Sequence, residues 1–191
     1  MSAPTVPEFL ASYTGAMHGL IDGISASNAN GELSYLKAIE HAVELVRIAQ
    51  AAGRKIIMVG NGGSAGIASH QAVDYWKNGG VRAIAFNDAS LLTCIGNDLG
   101  FENLFSAPIE RFADPEDIVF AISSSGASKN ILNAAETARK TGCRLVTFSG
   151  FALDNPLRGK GDLNFHVASH SYGLVEILHL FICLLYTSRC V

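Results

Sequence analysis

Two segments rich in serine and glycine contain the residues of this sequence that are best suited to bind an anion. They are Gly60-Asn-Gly-Gly-Ser64 and Ser123-Ser-Ser-Gly-Ala-Ser128. Glycines let the backbone turn tightly and approach a ligand closely, and serine hydroxyls can donate hydrogen bonds to phosphate oxygens. The second segment has no lysine and no Walker pattern, so it favours a monophosphate over a nucleoside triphosphate. The alternatives are an ordinary strand-to-helix turn for the first segment and a purely capping role for Ser125 and Ser128 in the second.

His70 and Asp74 are the first candidates for proton transfer or metal binding. They are four residues apart in a segment with helical spacing, so their side chains share one face of that helix. A histidine and a carboxylate at this spacing can hold a metal ion together or orient one another, and an ordinary polar helix face is the alternative. Glu176 and His179, three residues apart, share a face of the last helix in the same way. His179 taken alone is more typical of a packed histidine than of a ligand.

Short apolar runs alternate with longer helical stretches from Lys55 onward, and this pattern positions the candidate residues. Strands are predicted at 56–59, 81–86, 118–122, 145–148 and 163–167, and helices at 65–77, 102–112, 128–141 and from 172 onward. The alternation predicts an α/β fold of βαβ units, with helices on both faces of a parallel sheet. Both anion-binding segments then lie at the carboxyl edge of the sheet, where open α/β folds bind ligands and helix N-termini attract anions.

The chain is predicted to form one domain, 1–191, with helices in 1–52 and an α/β core in 53–182. Residues 7–52 show helical spacing, and the polar segment 25–32 marks a break. These helices have no predicted sheet of their own, so we expect them to pack on the domain edge or against another subunit. His166 and His170, which flank the loop before the last helix, are expected at the surface or in an interface.

The composition excludes several classes of protein. Hydrophobic residues make up 49% and charged residues 16% of the 191 residues, which indicates a globular chain. The net charge is −3 and no lysine or arginine cluster stands out, so neither nucleic acid nor an anionic membrane is an expected partner. With no apparent membrane span, no signal-peptide pattern and no CxxC pair among four cysteines, a cytoplasmic protein with reduced thiols is expected.

The last nine residues, 183–191, break the apolar pattern of the final helix. Their sequence resembles the translation of a transposon sequencing adaptor followed by its inverted copy. We therefore expect that the natural reading stops near Ile182 and that the true C-terminal residues are missing from this sequence. A frayed native tail is the alternative.

Five motifs, taken in order, resemble those of the phosphoheptose isomerases, a branch of the sugar isomerase (SIS) family. They are Gly60-Asn-Gly-Gly-Ser64, Asn87-Asp-Ala-Ser90, Gly96-Asn-Asp98, Gly100-Phe-Glu102 and Ser123-Ser-Ser-Gly-Ala-Ser128, and the resemblance covers about residues 30–182. It implies a flavodoxin-like, five-stranded parallel sheet. It also implies a homotetramer with active sites between subunits.

The same resemblance assigns a role to each candidate residue. It implies that Ser123, Ser125 and Ser128 hold the phosphate of a sugar phosphate. The sugar site would be lined by Asn61, Ser64 and Asp98, and the remaining residues of the two loops add Gly62, Gly63 and Ser124 to the substrate-binding set.

The resemblance further implies an aldose–ketose isomerase that converts sedoheptulose 7-phosphate into a heptose 7-phosphate through an enediolate. Such enzymes belong to lipopolysaccharide or capsule heptose biosynthesis. One Zn²⁺ per site would be held by His70, Asp74 and Glu176, with Asp74 as the catalytic base. The family has Glu where this chain has Asp74, one methylene shorter. The family's general acid, a histidine, falls at Leu184, within the suspected adaptor segment.

Two other functions are compatible with the sequence. Relatives of these isomerases serve as tetrameric scaffolds that associate with the replication initiator, and such a module could keep the phosphate loops without the acid–base residues. A sugar-phosphate-sensing transcription regulator fits less well, because residues 1–54 are short for a DNA-binding domain and show no basic recognition helix.

Overall fold

The computed structural model describes residues 4–190, with side chains as far as Leu185. The helices are α1 Val6–Asp22, α2 Tyr35–Ala51, α3 Gly63–Lys77, α4 Ala89–Asp98, α5 Ser106–Phe112, α6 Lys129–Lys140 and α7 Tyr172–Cys190. The strands are β1 Ser25–Asn28, β2 Gly31–Leu33, β3 Ile56–Gly60, β4 Ala83–Ala85, β5 Ile118–Ser123, β6 Arg144–Gly150 and β7 Leu163–Val167.

The strands form one sheet in the order β2-β1-β7-β6-β5-β3-β4. The five strands from β3 to β7 are parallel, and their order is that of a flavodoxin-like sheet. Every residue of β3, β5 and β7 is buried, as expected for strands covered on both faces. The predicted α/β fold with a five-stranded parallel core is therefore confirmed.

The predicted helix break at 25–32 is a β-hairpin, so the expectation that the N-terminal region has no strands is wrong. β1 pairs antiparallel with β2 and also with β7, where Ser25 lies opposite His166. The tight turn uses Gly31 at φ +116° and a hydrogen bond from Asn30 N to Asn28 Oδ1 of 2.9 Å. Strands of three and four residues are too short to show an alternating pattern. The hairpin covers what would be the open edge of β7.

Several predicted boundaries also differ. The strand predicted at 81–86 is limited to Ala83–Ala85. The helix predicted at 102–112 is a 3-10 turn at Phe101–Asn103 followed by α5, which carries Pro108 in its first turn, where proline is tolerated. Helix α4 is not predicted by the sequence pattern. It begins after Asp88, whose Oδ1 accepts from the backbone N–H of Ser90 at 2.9 Å and of Leu91 at 3.1 Å.

Apolar layers cover both faces of the sheet. On one face, helices α2, α3 and α7 bury aromatic side chains of the strands such as Phe120, Phe148 and Phe165. On the other face, α5 and α6 pack on Ile57 and Val119. Helix α1 has no fully buried residue. Within the described part of the chain, no helix is long and apolar enough to cross a bilayer.

Lys55 anchors the amino-terminal edge of the parallel sheet, opposite the predicted ligand edge. Its ammonium lies 2.7 Å from Asp114 Oδ2 and 2.5 Å from Asp117 Oδ2. The Asp117 carboxylate also accepts from the backbone N–H of Lys55 at 2.9 Å and of Asp114 at 2.8 Å. This cluster satisfies a buried carboxylate and holds β3 beside β5 far from the candidate site.

Candidate functional site

The two predicted anion-binding loops meet at one cavity of about 210 Å³ at the carboxyl edge of the sheet. Gly60 and Ile122 are register partners at the ends of β3 and β5, so the loops that follow begin side by side. The lining combines these loops with the start of α7 and consists of Asn61, Gly62, Ser64, Ile122, Ser123, Ser124, Ser125, Ser128, Tyr172 and Glu176.

The first loop needs its glycines for steric reasons. A Cβ at Gly60 would lie 2.6 Å from the carbonyl of Ser64, so any larger residue would push the loop away from α3. Gly62 has φ +54° and ψ −123°, a conformation that side chains disfavour. Gly62 stands at the N-cap of α3 and no side chain caps the helix there. The backbone N–H groups of Gly63 and Ser64 therefore remain available to an anion in the cavity, whereas those of Ala65 and Gly66 donate to loop carbonyls.

The second loop presents hydroxyls that the helix does not use. Ser123 and Ser124 are buried, and Ser124 Oγ has no hydrogen-bond partner among the described residues. Ser128 stands at the N-cap of α6 but makes no capping bond, and its Oγ lies 3.3 Å from Ser123 Oγ. Capping therefore does not explain Ser128. Ser125 Oγ accepts from Ala127 N at 3.2 Å, which is a local turn contact.

Asn155 braces the second loop from behind. Its side chain donates to Ala152 O at 2.8 Å and to Gly150 O at 3.2 Å, and it leaves no room for a Cβ at Gly126. Gly126 also has φ +63°, so glycine is required there on both counts. The backbone N–H of Leu157 donates to Gly126 O at 3.0 Å. The serine hydroxyls are thus held on a fixed backbone before any ligand arrives.

Glu176 brings the last helix into the site. Its half-buried carboxylate lies against the backbone of Gly63, at the N-terminus of α3. A helix N-terminus favours a negative charge, which stabilises the carboxylate in this position. Tyr172 closes the same side of the cavity, and its ring packs edge-on against Phe151 with centroids 4.8 Å apart.

His70 and Asp74 form a pair on α3 outside the cavity lining. His70 Nε2 lies 3.6 Å from Asp74 Oδ2, and the two side chains are 63% and 18% exposed. Asp74 also accepts from Gln71 Nε2 at 3.3 Å and from Asn78 Nδ2 at 3.4 Å. The carboxylate is therefore oriented by three neighbours on its own helix and its cap.

Zinc binding by His70, Asp74 and Glu176 stays a prediction. Among the residues whose side chains are described, no group of three or more His, Cys, Asp or Glu is arranged to hold a metal ion. His70 and Asp74 are two candidate ligands that lie close together within one chain, whereas protein zinc sites use three or four protein ligands. These residues do not complete a zinc site by themselves.

Asp98 is not brought to the cavity. It is the exposed last residue of α4, where Asn97 Nδ2 donates to its Oδ1 at 2.7 Å and Cys94 Sγ lies 3.5 Å from its Oδ2. Leu184, the position of the family's general acid, is exposed on α7. Residues beyond Leu185 in the suspected adaptor segment lie outside the described side chains.

Two buried histidines lie behind the serine loop. Ser149 is the register partner of both Ser123 and His166. Its hydroxyl lies 3.1 Å from His166 Nδ1, and its carbonyl lies 3.0 Å from His179 Nε2. Burial lowers the pKa of each histidine to about 4, with smaller contributions from Arg158 at His166 and from His166 at His179. His166 is only 1% exposed, so its predicted surface position is wrong, whereas His170 is exposed.

The family of this chain follows from a direct comparison. A model of the SIS domain matches residues 21–150, which is more than half of the chain. The chain belongs to the SIS domain family. This SIS domain is 34% identical over 158 residues to a phosphoheptose isomerase of Syntrophotalea carbinolica, a match that covers 77% of the chain and 80% of that protein.

Other relatives carry the same name. A phosphoheptose isomerase of Geotalea daltonii is 44% identical over 118 residues, which is 59% of this chain. A solved phosphoheptose isomerase from Francisella tularensis has a TM-score of 0.83, with 25% identity over 98% of each chain. The SIS domain spans only 62% to 65% of the length of three of its curated relatives.

Sequence reasoning missed three residues of the site. Tyr172 lines the cavity, Asn155 braces the serine loop, and Asn130 binds Asn61. Tyr172 stands at the predicted start of the last helix, so its position could have been noticed. Asn130 is 69 residues from Asn61, and no pattern in the sequence links them.

Proposed function

We propose that this SIS domain binds a sugar monophosphate in the cavity and catalyses an aldose–ketose isomerisation. The most specific assignment is the conversion of sedoheptulose 7-phosphate to a heptose 7-phosphate. The observation that carries the proposal is the convergence of two strand-to-helix loops on one cavity, with a buried Ser124 hydroxyl that lacks a partner among the described residues. The names of the relatives support the substrate and the reaction.

The phosphate is assigned to the serine loop. Hydroxyls of Ser123, Ser124, Ser125 and Ser128 border the cavity, and helices α3 and α6 begin at it. Because the loops contain no lysine or arginine, the phosphate is held by neutral donors and helix ends. Binding energy from this remote group positions the reacting carbons.

Proton transfer is assigned to Asp74. Isomerisation removes a proton from the carbon next to the carbonyl and returns it to the neighbouring carbon, so a base, an acid and a group that stabilises the enediolate are needed. His70 lies about two helical turns beyond Gly63 along α3, and Asp74 about one turn further. We infer that the carbon chain of the sugar runs from the serine loop past Glu176 toward this pair.

Zinc, assembly and cellular context are part of the same proposal. Zn²⁺ on His70, Asp74 and Glu176 would polarise the substrate carbonyl if a neighbouring subunit completes its ligands. A homotetramer would place such neighbours at each site. A cytoplasmic enzyme of heptose biosynthesis, with a sugar phosphate as its partner and neither nucleic acid nor membrane, is the corresponding setting.

Proton exchange measured by NMR in deuterated water tests the reaction. The substrate is sedoheptulose 7-phosphate, with zinc added in one series and chelator in another. We expect deuterium at the carbon next to the carbonyl and appearance of the aldose. Saturable substrate binding with no exchange in either series would favour the non-catalytic scaffold instead.

A further inference from the structure

Asn61 and Asn130 form a reciprocal amide pair beside the cavity. Asn61 Nδ2 donates to Asn130 Oδ1 at 2.9 Å, and Asn130 Nδ2 donates to Asn61 Oδ1 at 2.8 Å. Asn130 is 1% exposed, and its Oδ1 also accepts from the backbone N–H of Ile131 at 3.0 Å. Each amide therefore satisfies the other in a buried setting, where a lost partner is costly.

The pair joins the two loops at the point where the sheet no longer does. The ladder between β3 and β5 ends at Gly60 and Ile122. Asn61 is the next residue of the first loop, and Asn130 lies in the first turn of α6, directly after the serine loop. A change in this pair would therefore alter the spacing of the two loops without touching the sheet.

The two amides of the pair stand differently toward the cavity. The pair uses one N–H and one oxygen lone pair of the Asn61 amide, so one N–H and one lone pair stay available at the cavity that Asn61 lines. Asn130 is buried, and its Oδ1 accepts from both Asn61 and Ile131. Asn130 therefore acts on a ligand through Asn61.

We propose that Asn130 is a positioning residue that acts through Asn61 to set the spacing of the two phosphate-binding loops. The inference rests on the proposed function only in that the ligand carries a phosphate.

A double-mutant cycle tests the pair, with inorganic phosphate as the calorimetric probe and sedoheptulose 7-phosphate in the activity assay. The variants are Asn61→Ala, Asn130→Ala and the double variant. Asn133→Ala is the matched control, because Asn133 lies one turn further along α6 and donates to Glu102 O at 3.0 Å, away from the cavity. We expect each single substitution to weaken phosphate binding on the order of tenfold, and the double variant to be no weaker than either. The control should bind as the wild type does.

A positioning role also makes a kinetic prediction. The KM for the sugar phosphate should rise in parallel with the Kd for phosphate, with a smaller change in kcat, whereas partial misfolding would lower kcat at constant KM. If Asn130→Ala does not fold, Asn61→Ala breaks the same two bonds from the more exposed side and carries the test. The proposal would be overturned if Asn61→Ala weakens phosphate binding and Asn130→Ala does not. It would also be overturned if the losses of affinity in the two single variants add up in the double variant.

The outcomes separate this inference from the proposed reaction. If the wild-type protein binds phosphate but does not isomerise the sugar, the proposed reaction is rejected. The double-mutant cycle measured by phosphate affinity remains valid in that case. Wild-type protein that isomerises the sugar, with all variants unchanged in KM, would reject the pair.

Discussion

The carboxylate of Glu176 occupies the space that a side chain at Gly63 would need. A Cβ at Gly63 would lie 2.6 Å from Glu176 Oε1 and closer still to Oε2. The first residue of α3 and a residue on α7, 113 positions apart in the sequence, are therefore matched in shape at the cavity wall. Neither residue type alone indicates this contact.

Gly63→Ala should displace Glu176 and narrow the cavity. We expect the affinity for sugar phosphate to fall at least about tenfold and the free energy of unfolding to fall by roughly 1–3 kcal/mol, as is usual for an overpacked site. Gly66→Ala is the matched control, since a Cβ at Gly66 has no neighbour within 4 Å. That control should keep full affinity and gain up to about 1 kcal/mol of stability from the better helix former. Equal changes in affinity and in stability for the two substitutions would contradict the close fit of Glu176 against Gly63.

Asp74→Asn should remove the proposed base. General base catalysis contributes about 10²- to 10⁴-fold, so we expect kcat to fall by that factor while phosphate affinity stays unchanged. Glu176→Gln is the comparison, because it keeps the shape against Gly63 and changes only the charge; a smaller loss of kcat is expected. If Glu176→Gln abolishes proton exchange and Asp74→Asn does not, the base is the carboxylate in the cavity.

His166 and His179 should make the fold acid-labile. The pKa of each is lowered from 6.5 to about 4, so the folded protein binds fewer protons than the unfolded chain between these values. The free energy of unfolding is then complete above pH 6.5 and declines as the pH falls to about 4. Urea titrations across this range should show a smaller decline for His179→Gln than for the wild type. A free energy of unfolding that does not change with pH in the wild type would refute the assignment.

Lys55 should matter for stability and not for binding. Lys55→Ala leaves the buried Asp117 carboxylate without its cation, which costs roughly 3–5 kcal/mol when a buried pair is broken. The control is Lys160→Ala, whose 3.7 Å contact with Glu136 is exposed and contributes at most about 1 kcal/mol. Denaturant titration measures the difference, and phosphate affinity of the folded Lys55 variant should match the wild type. If Lys55→Ala lowers the free energy of unfolding by less than Lys160→Ala does, the stabilising role of the Lys55 ion cluster is refuted.

The sequence predicts those parts of the fold that depend on local pattern. The parallel strands are long enough for apolar runs to be recognised, and the serine and glycine loops are marked by composition. The hairpin at 25–33 escapes prediction because its strands are short and its burial depends on pairing with β7.

The parts of the site that escape prediction depend on contacts between distant residues. The Asn61–Asn130 pair and the fit of Glu176 against Gly63 exist only after the sheet has brought loops and helices together. A surface or interface position is predicted for His166 because the sequence does not reveal a buried hydrogen-bond partner for its ring. In the structure Ser149, on the adjacent strand, faces it.

Calorimetric titration with sedoheptulose 7-phosphate shows whether the cavity holds the phosphate of a sugar phosphate. Wild-type protein is compared with Ser124→Ala, since Ser124 Oγ is a buried hydroxyl without a partner among the described residues. We expect saturable binding to the wild type and an affinity about tenfold or more lower in the variant, with an unchanged melting temperature. Absence of binding to the wild type, or equal binding to both proteins, would show that the cavity does not hold the phosphate.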